Sequence, residues 1–176
     1  MFIYDIKDIN LFLESDETEI ISYIIAPINR KNYMFICYKK AGSLYLKNSE
    51  CSDKEFIEFG REFYKNGRPT SLEKAIREDS FIDAYKRKFV HVTEIKNDTL
   101  VGLLEQVSNV DIDSWKGQQM GLDGFSLDCY MPAWDKKLHM WCDIADEYFR
   151  PVVDLANFLL DFLKVDMEYR FRINPY

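Results

Sequence analysis

Two histidines, His91 and His139, are the only imidazoles in the sequence and so the only side chains whose ordinary pKa lies near neutral pH. Either can act as a general base once a carboxylate orients it. Neither stands in an HExxH pattern or at metal-ligand spacing from a cysteine, and no GxSxG turn is present. Both sit in alternating, strand-like segments, so an ordinary surface or half-buried role is the expectation for each. The glycines offer no phosphate loop: after Gly117 comes only Gly121-Leu122-Asp123-Gly124. Neighbouring Asp111, Asp113, Asp123 and Asp128 would repel an anion there. Those four aspartates have the oxygen chemistry that suits Ca²⁺ or Mg²⁺, but their spacing departs from the EF-hand loop and lacks its terminal Glu. A turn is the expected use, with no cofactor and no metal. Cys37, Cys51, Cys129 and Cys142 are scattered without a CxxC pair, which predicts reduced, buried thiols.

The remaining chemistry is that of recognition. Lys86-Arg87-Lys88 and Arg30-Lys31 have the charge to touch phosphate. They lie in a segment, residues 28 to 88, whose net charge is only +5 and whose flanks are acidic. A solvated helix face is the expectation there, with no direct nucleic-acid partner. Residues 1 to 27 carry −5 and residues 89 to 176 carry −7, for −7 overall and an isoelectric point near 4.9. Such a chain is better matched to a basic protein than to nucleic acid. In the last third, acids crowd around aromatics: Asp111, Asp113 and Trp115, then Trp134 and Asp135, then Trp141, Asp143, Asp146, Glu147 and Tyr148. Trp anchors interfaces and surrounding acids steer a basic partner toward them. Trp141 is expected in the core of a hairpin. The candidate partner-binding set is Asp111, Asp113, Trp115, Trp134, Asp135, Asp146 and Glu147.

The elements that must position these groups follow from periodicity. Phe2 to Ile6 and Glu19 to Ile25 read as strands around an acidic bend, and Tyr33 to Tyr38 with Leu44 to Lys47 reads as a hairpin. Ser52 and Glu55 form a capping box ahead of Phe56, Phe59 and Phe63, a row predicted to be buried, with Gly67 stopping the helix. A second box at Thr70 and Glu73 predicts another helix, with a break or new helix at Ser80. Phe89 to Ile95 alternates like a short strand. Asp98 is placed to cap a helix carrying Leu100, Val101, Leu103, Leu104 and Val107. Phe125 to Met131 and Lys137 to Asp143 alternate around Pro132-Ala133-Trp134-Asp135, a second hairpin. Pro151 then opens a helix with Val152, Leu155, Ala156, Leu159 and Leu163 on one face.

The order is not that of regular βαβ units. It predicts an α+β fold in which N-terminal strands and a C-terminal hairpin form an antiparallel sheet packed with about four to five helices. At 176 residues, with no repeat and no Pro- or Gly-rich linker, residues 1-176 are expected to form a single globular domain. The longest apolar runs, Ile20 to Pro27 and Leu155 to Leu163, fall short of the roughly 20 residues that span a bilayer. Met1-Phe2-Ile3-Tyr4-Asp5 lacks the basic start of a secretion signal. A cytoplasmic location is therefore the expectation.

Leu122-Asp123-Gly124, the aromatic strand and hairpin after it, and Phe149 to Leu160 with Leu155-Ala156-x-x-Leu159-Leu160 together form an arrangement covering roughly the last fifty residues. It resembles the C-terminal part of bacterial immunity proteins, which neutralise toxin domains delivered by contact-dependent growth inhibition and related polymorphic toxin systems. The resemblance implies a small acidic cytosolic inhibitor, not an enzyme, whose partner is a basic toxin domain of nuclease type. It transfers no binding residue. The alternatives are a small intracellular enzyme using His91 or His139 with a nearby carboxylate, and a non-catalytic subunit of an assembly.

Overall fold

The computed structural model describes residues 6–27, 31–65, 78–110, 125–132, 135–141, 144–145, 147–165 and 170–173. They form an α+β arrangement around a six-stranded antiparallel sheet. Its strands are β1 (Thr18–Pro27), β2 (Lys31–Lys40), β3 (Ser43–Ser52), β4 (Val90–Glu94), β5 (Phe125–Met131) and β6 (Lys136–Trp141), in the order β4-β3-β2-β1-β5-β6. Four helices accompany it among the described residues: α1 (Asp53–Phe63), α2 (Asp79–Phe89), α3 (Asp98–Ser108) and α4 (Arg150–Phe162). A short parallel pair, β7 (Ile144–Ala145) and β8 (Arg172–Ile173), stands apart from the main sheet. No described helix is long and apolar enough to cross a membrane.

Local chemistry explains the elements. Ala41 and Gly42, both at positive φ, form the two-residue link between Lys40 and Ser43, the backbone twist that joins antiparallel strands with least splay. At α1 both halves of the capping box are made: the Glu55 N–H donates to Ser52 Oγ at 3.2 Å, and the Ser52 N–H donates to Glu55 at 2.8 Å. Pro151 occupies the first turn of α4, where its missing N–H costs nothing.

The central strands of the sheet are buried on both sides. On the first face, Tyr23, Phe35, Leu46, Leu127 and Cys129 pack against α3 and α4, where Leu100, Val152, Leu155 and Leu159 are fully buried. On the second face, Ile24, Met34 and Ile36 meet the 3-10 turn Ile6–Phe12 together with α1 and α2. Rings dominate there: Phe56 meets Phe81 edge-on at 5.7 Å, and Phe59 meets Phe89 edge-on at 5.5 Å. Pairs of this kind contribute about 0.5–1.5 kcal/mol beyond area burial.

The sheet is wider than the sequence indicates at one end, because β4 adds to β3 as an edge strand. At the other terminus the structure differs from expectation. Ile6 belongs to the 3-10 turn and not to a strand, and residues 2 to 5 lie outside the described residues. The helix expected from Thr70 also lies outside them, as does Gly67, while α1 already ends with Tyr64 as its C-cap. The cap of α3 is Asn97, whose side chain accepts from the Thr99 N–H at 2.8 Å, with Asp98 as the first helical residue. Phe63 and Val101, expected inward, are among the exposed apolar side chains. Phe63, in the last turn of α1, keeps one side against Phe81, ring centroids 5.3 Å apart, and turns the other to water, while α3 buries a narrower stripe centred on Leu100 and Val107.

One charged group enters this apolar setting. Lys47, on the second face of β3, donates to the Phe12 carbonyl at 2.8 Å, pairs with Glu17 and lies 4.8 Å from the Tyr38 ring centroid. The side chains of Lys47 and Glu17 are only 8% and 4% exposed. Burial pushes the Glu17 carboxyl up, but the bond from Lys47, the Glu14 N–H and the charges of Lys47 and Lys40 outweigh it, so its pKa is lowered. Breaking a buried pair from one side costs about 3–5 kcal/mol, because the other charge is stranded. Lys47→Met is therefore expected to lower the melting temperature at pH 7 by roughly 6–15 °C for a chain of this size. A lowered carboxyl pKa stabilises the fold above the group's ordinary value near 4.5 and loses that contribution as pH falls through the folded value. The gap between wild type and Lys47→Met should accordingly narrow in melts taken in progressively more acidic buffer.

Candidate functional site

The C-terminal hairpin carries the groups with most chemical content. In the β5 and β6 register Asp128 stands opposite His139 and Tyr130 opposite Lys137, while on the other side of β5 the residues opposite are Ile24 and Ser22 of β1. Alternation places Ser22, Asp128, Tyr130, Lys137 and His139 on the second face of the sheet. Glu19 joins them through an irregularity in β1. Its partner is Tyr38, whereas that of Ile21 is Cys37, so Ile20 is an extra residue bulged out of the ladder. The bulge returns Glu19 to the face of Ser22, three residues away, and the Ser22 hydroxyl donates to the Glu19 carboxylate.

Each group on this face has one local bond. His139 Nδ1 and Asp128 Oδ1 are 2.7 Å apart, with side chains 60% and 30% exposed. The Tyr130 hydroxyl donates to Asp135 Oδ1 at 3.4 Å, and Lys137 Nζ lies 5.3 Å from the Tyr130 ring centroid. Burial raises the Tyr130 pKa, with the charges of Asp135 and Glu19 adding to the effect. Burial likewise raises the Glu19 carboxyl, partly offset by Ser22. Three carboxylates, Glu19, Asp128 and Asp135, face one lysine and one imidazole, so these groups together are net acidic. Solvent access at His139 keeps the local dielectric high, which suits recognition of a cation better than proton chemistry needing a dry site.

Of the seven residues proposed from the sequence, Asp111, Asp113, Trp115, Trp134 and Asp146 lie outside the described residues. Asp135 is exposed at the hairpin turn, at φ 49°, a conformation aspartate tolerates. Glu147 is exposed in the 3-10 turn Glu147–Phe149, where it receives both Nε and Nη2 of Arg150 at 2.6 Å. The Arg150 bonds lower its carboxyl pKa. No bond links Asp135 with Glu147. Sequence reading did not assemble Glu19, Asp128, Tyr130 and His139 into one surface. The signal for the last three was the four-residue hairpin loop 132 to 135, which pairs Met131 with Lys136 and therefore Asp128 with His139.

His91 is exposed on β4 opposite Asn48 and meets no carboxylate among the described residues. Within the basic stretch, Lys86 reaches Glu14 at 3.4 Å, and Lys88 reaches Glu62 at 3.9 Å while lying over the rings of Phe59 and Phe89. That is the behaviour of a solvated face paired within the chain. Among the described residues no cluster of three metal-ligating side chains forms.

Cys37, Cys51 and Cys129 are free and buried, and Cys142 lies outside the described residues. Burial pushes the Cys37 thiol to about 12 and, with nearby Glu55, the Cys51 thiol to about 11. Cys129 is raised as well, again chiefly by burial. Nucleophilic roles are poorly served, since the thiolate is the reactive form. Native protein treated with iodoacetamide should leave these three thiols unmodified by mass spectrometry, with labelling appearing only after denaturant is added.

Comparison with protein families, curated proteins and solved structures finds no match for this chain.

Proposed function

We propose that the protein is an inhibitor of the immunity-protein kind, which docks on a basic protein domain and covers that domain's active site. In this reading the partner is a toxin domain, of nuclease type as the resemblance implies, and the location is the cytoplasm. The observation that carries the proposal is the second face of β5 and β6. The helices packed on that face meet it around β1, β2 and β3, whereas Asp128, Tyr130, Asp135, Lys137 and His139 remain wholly or partly open to solvent. An acidic face with a central phenol matches the surface of a positively charged enzyme, and its exposed carboxylates steer encounter at low ionic strength. The net charge of −7 acts in the same direction.

A second reading, a small enzyme with His139 as general base oriented by Asp128, draws on the 2.7 Å contact between them. It differs in one readout: His139→Gln would abolish turnover of a substrate while leaving capture of a protein partner intact.

Affinity capture of the tagged protein from host lysate in moderate salt should retain one stoichiometric basic protein. With that partner in hand, Asp128→Lys combined with Asp135→Asn should weaken binding at low salt by about tenfold or more, and the loss should shrink as salt screens the contacts. Glu147→Gln should change binding less, because Arg150 already occupies that carboxylate. Unchanged affinity in the double variant would remove the β5 and β6 face from the interface.

A further inference from the structure

We propose that the outer edge of β4 pairs with the same edge of a second copy of this chain, giving a twofold dimer with one sheet continuous through both copies. The inference is independent of the binding face above, which lies at the opposite end of the sheet.

β4 ends the sheet, and among the described residues no strand pairs with its outer side. Which of its backbone groups are available follows from a single bond. The Ile95 N–H donates to the Leu44 carbonyl at 2.8 Å, which makes that pair a hydrogen-bonded one. Bonded and non-bonded pairs alternate in an antiparallel ladder, so Thr93 with Leu46 and His91 with Asn48 are bonded too. Val90, Val92 and Glu94 therefore turn their N–H and C=O groups away from β3. The Val90 N–H is already taken, since it donates to the Lys86 carbonyl at the end of α2. An antiparallel pairing centred on Val92 uses the remaining groups: Val92 meets Val92 of the second copy, and the Glu94 N–H of each copy meets the Val90 carbonyl of the other.

The side chains fit the same operator. Val92, 55% exposed, stands opposite Lys47 and so shares the second face with α2. At the twofold axis two such valines would cover one another. The last turn of α2 carries Lys86, Arg87 and Lys88 and runs directly into Val90. Glu94 of one copy, set opposite Val90 of the other on the same face, comes beside that basic turn, and symmetry makes the acid-to-base contact twice. The edge is thus basic at its start, apolar in the middle and carries Glu94 at its end, where the exposed Lys96 now pairs with it at 3.4 Å and would give up that contact to the partner's basic turn. The other end of the described sheet is built differently: β6 carries Lys136 and Lys137, residues that discourage strand addition, while β4 has neither Lys nor Pro.

The test is sedimentation velocity of the purified full chain over a concentration series. Wild type should show a monomer–dimer equilibrium. Val92→Lys, an exposed substitution that places two ammonium groups on the axis, should weaken dimerisation by about tenfold or more, with an unchanged thermal melt under conditions where wild type is monomeric. Glu94→Lys should also weaken it, and Glu94→Lys combined with Arg87→Glu should restore it, an outcome that loss of folding could not produce. A wild type that stays monomeric throughout, or a dimer indifferent to Val92→Lys, overturns the proposal. Neither outcome touches the inhibitor reading, whose variants lie on β5 and in the hairpin turn.

Discussion

β1 has to be apolar on both faces and hydrogen-bonded on both edges, and the rest of the molecule is arranged around that constraint. Tyr23, Ile24 and Ile25 are at most 1% exposed, so neither face of the strand reaches water. A backbone in that position must find its partners inside the protein. β2 supplies one edge and β5 the other, which brings together segments about a hundred residues apart in the chain. The Tyr23 hydroxyl, buried beneath α4, donates to the Val152 carbonyl at 3.3 Å.

The two faces are then covered unequally. The first is closed by α3 and α4, whose apolar stripes meet the alternating side chains of the strands. The second is closed over β2 and β3 by an aromatic cluster from α1 and α2, and the buried pair of Lys47 with Glu17 ties the 3-10 turn to β3. Polar residues replace apolar ones on that face of β5 and β6, where Asp128, Tyr130, Lys137 and His139 stand in the alternating positions. This change of side-chain character within a single sheet divides an apolar core surface from a polar one, and the bulge at Ile20 adds Glu19 to the latter.

The sheet's two edges show a similar division. β6 bears lysines that discourage further pairing, whereas the outer backbone groups of Val92 and Glu94 on β4 meet no strand among the described residues. Recognition by side chains at one end and by backbone at the other would let the protein bind a foreign partner and a second copy at once, without competition between them.

Local pattern determined a good part of this in advance. The capping box at Ser52, the hairpin from β2 to β3, the hairpin from β5 to β6 and the buried stripe of α4 are legible because each depends on residues close in sequence. Periods of 2 and 3.6 and the chemistry of helix ends act within a turn or two. The net charge and the lack of a catalytic signature belong to the sequence as well. What only the tertiary structure decided is which strand lies beside which and what each face meets. β1 joins β5 because long-range pairing is selected by the packing of the whole sheet. Lys47 is buried because Glu17 and the Phe12 carbonyl, about thirty residues earlier, converge on it. Glu19 reaches the face of Ser22 because the ladder with β2 takes up one extra residue. Phe63 and Val101 are exposed because periodicity marks a helix's apolar side without saying how far its neighbours extend. Each of these outcomes rests on contacts between distant parts of the chain, whose energies no local window of the sequence contains.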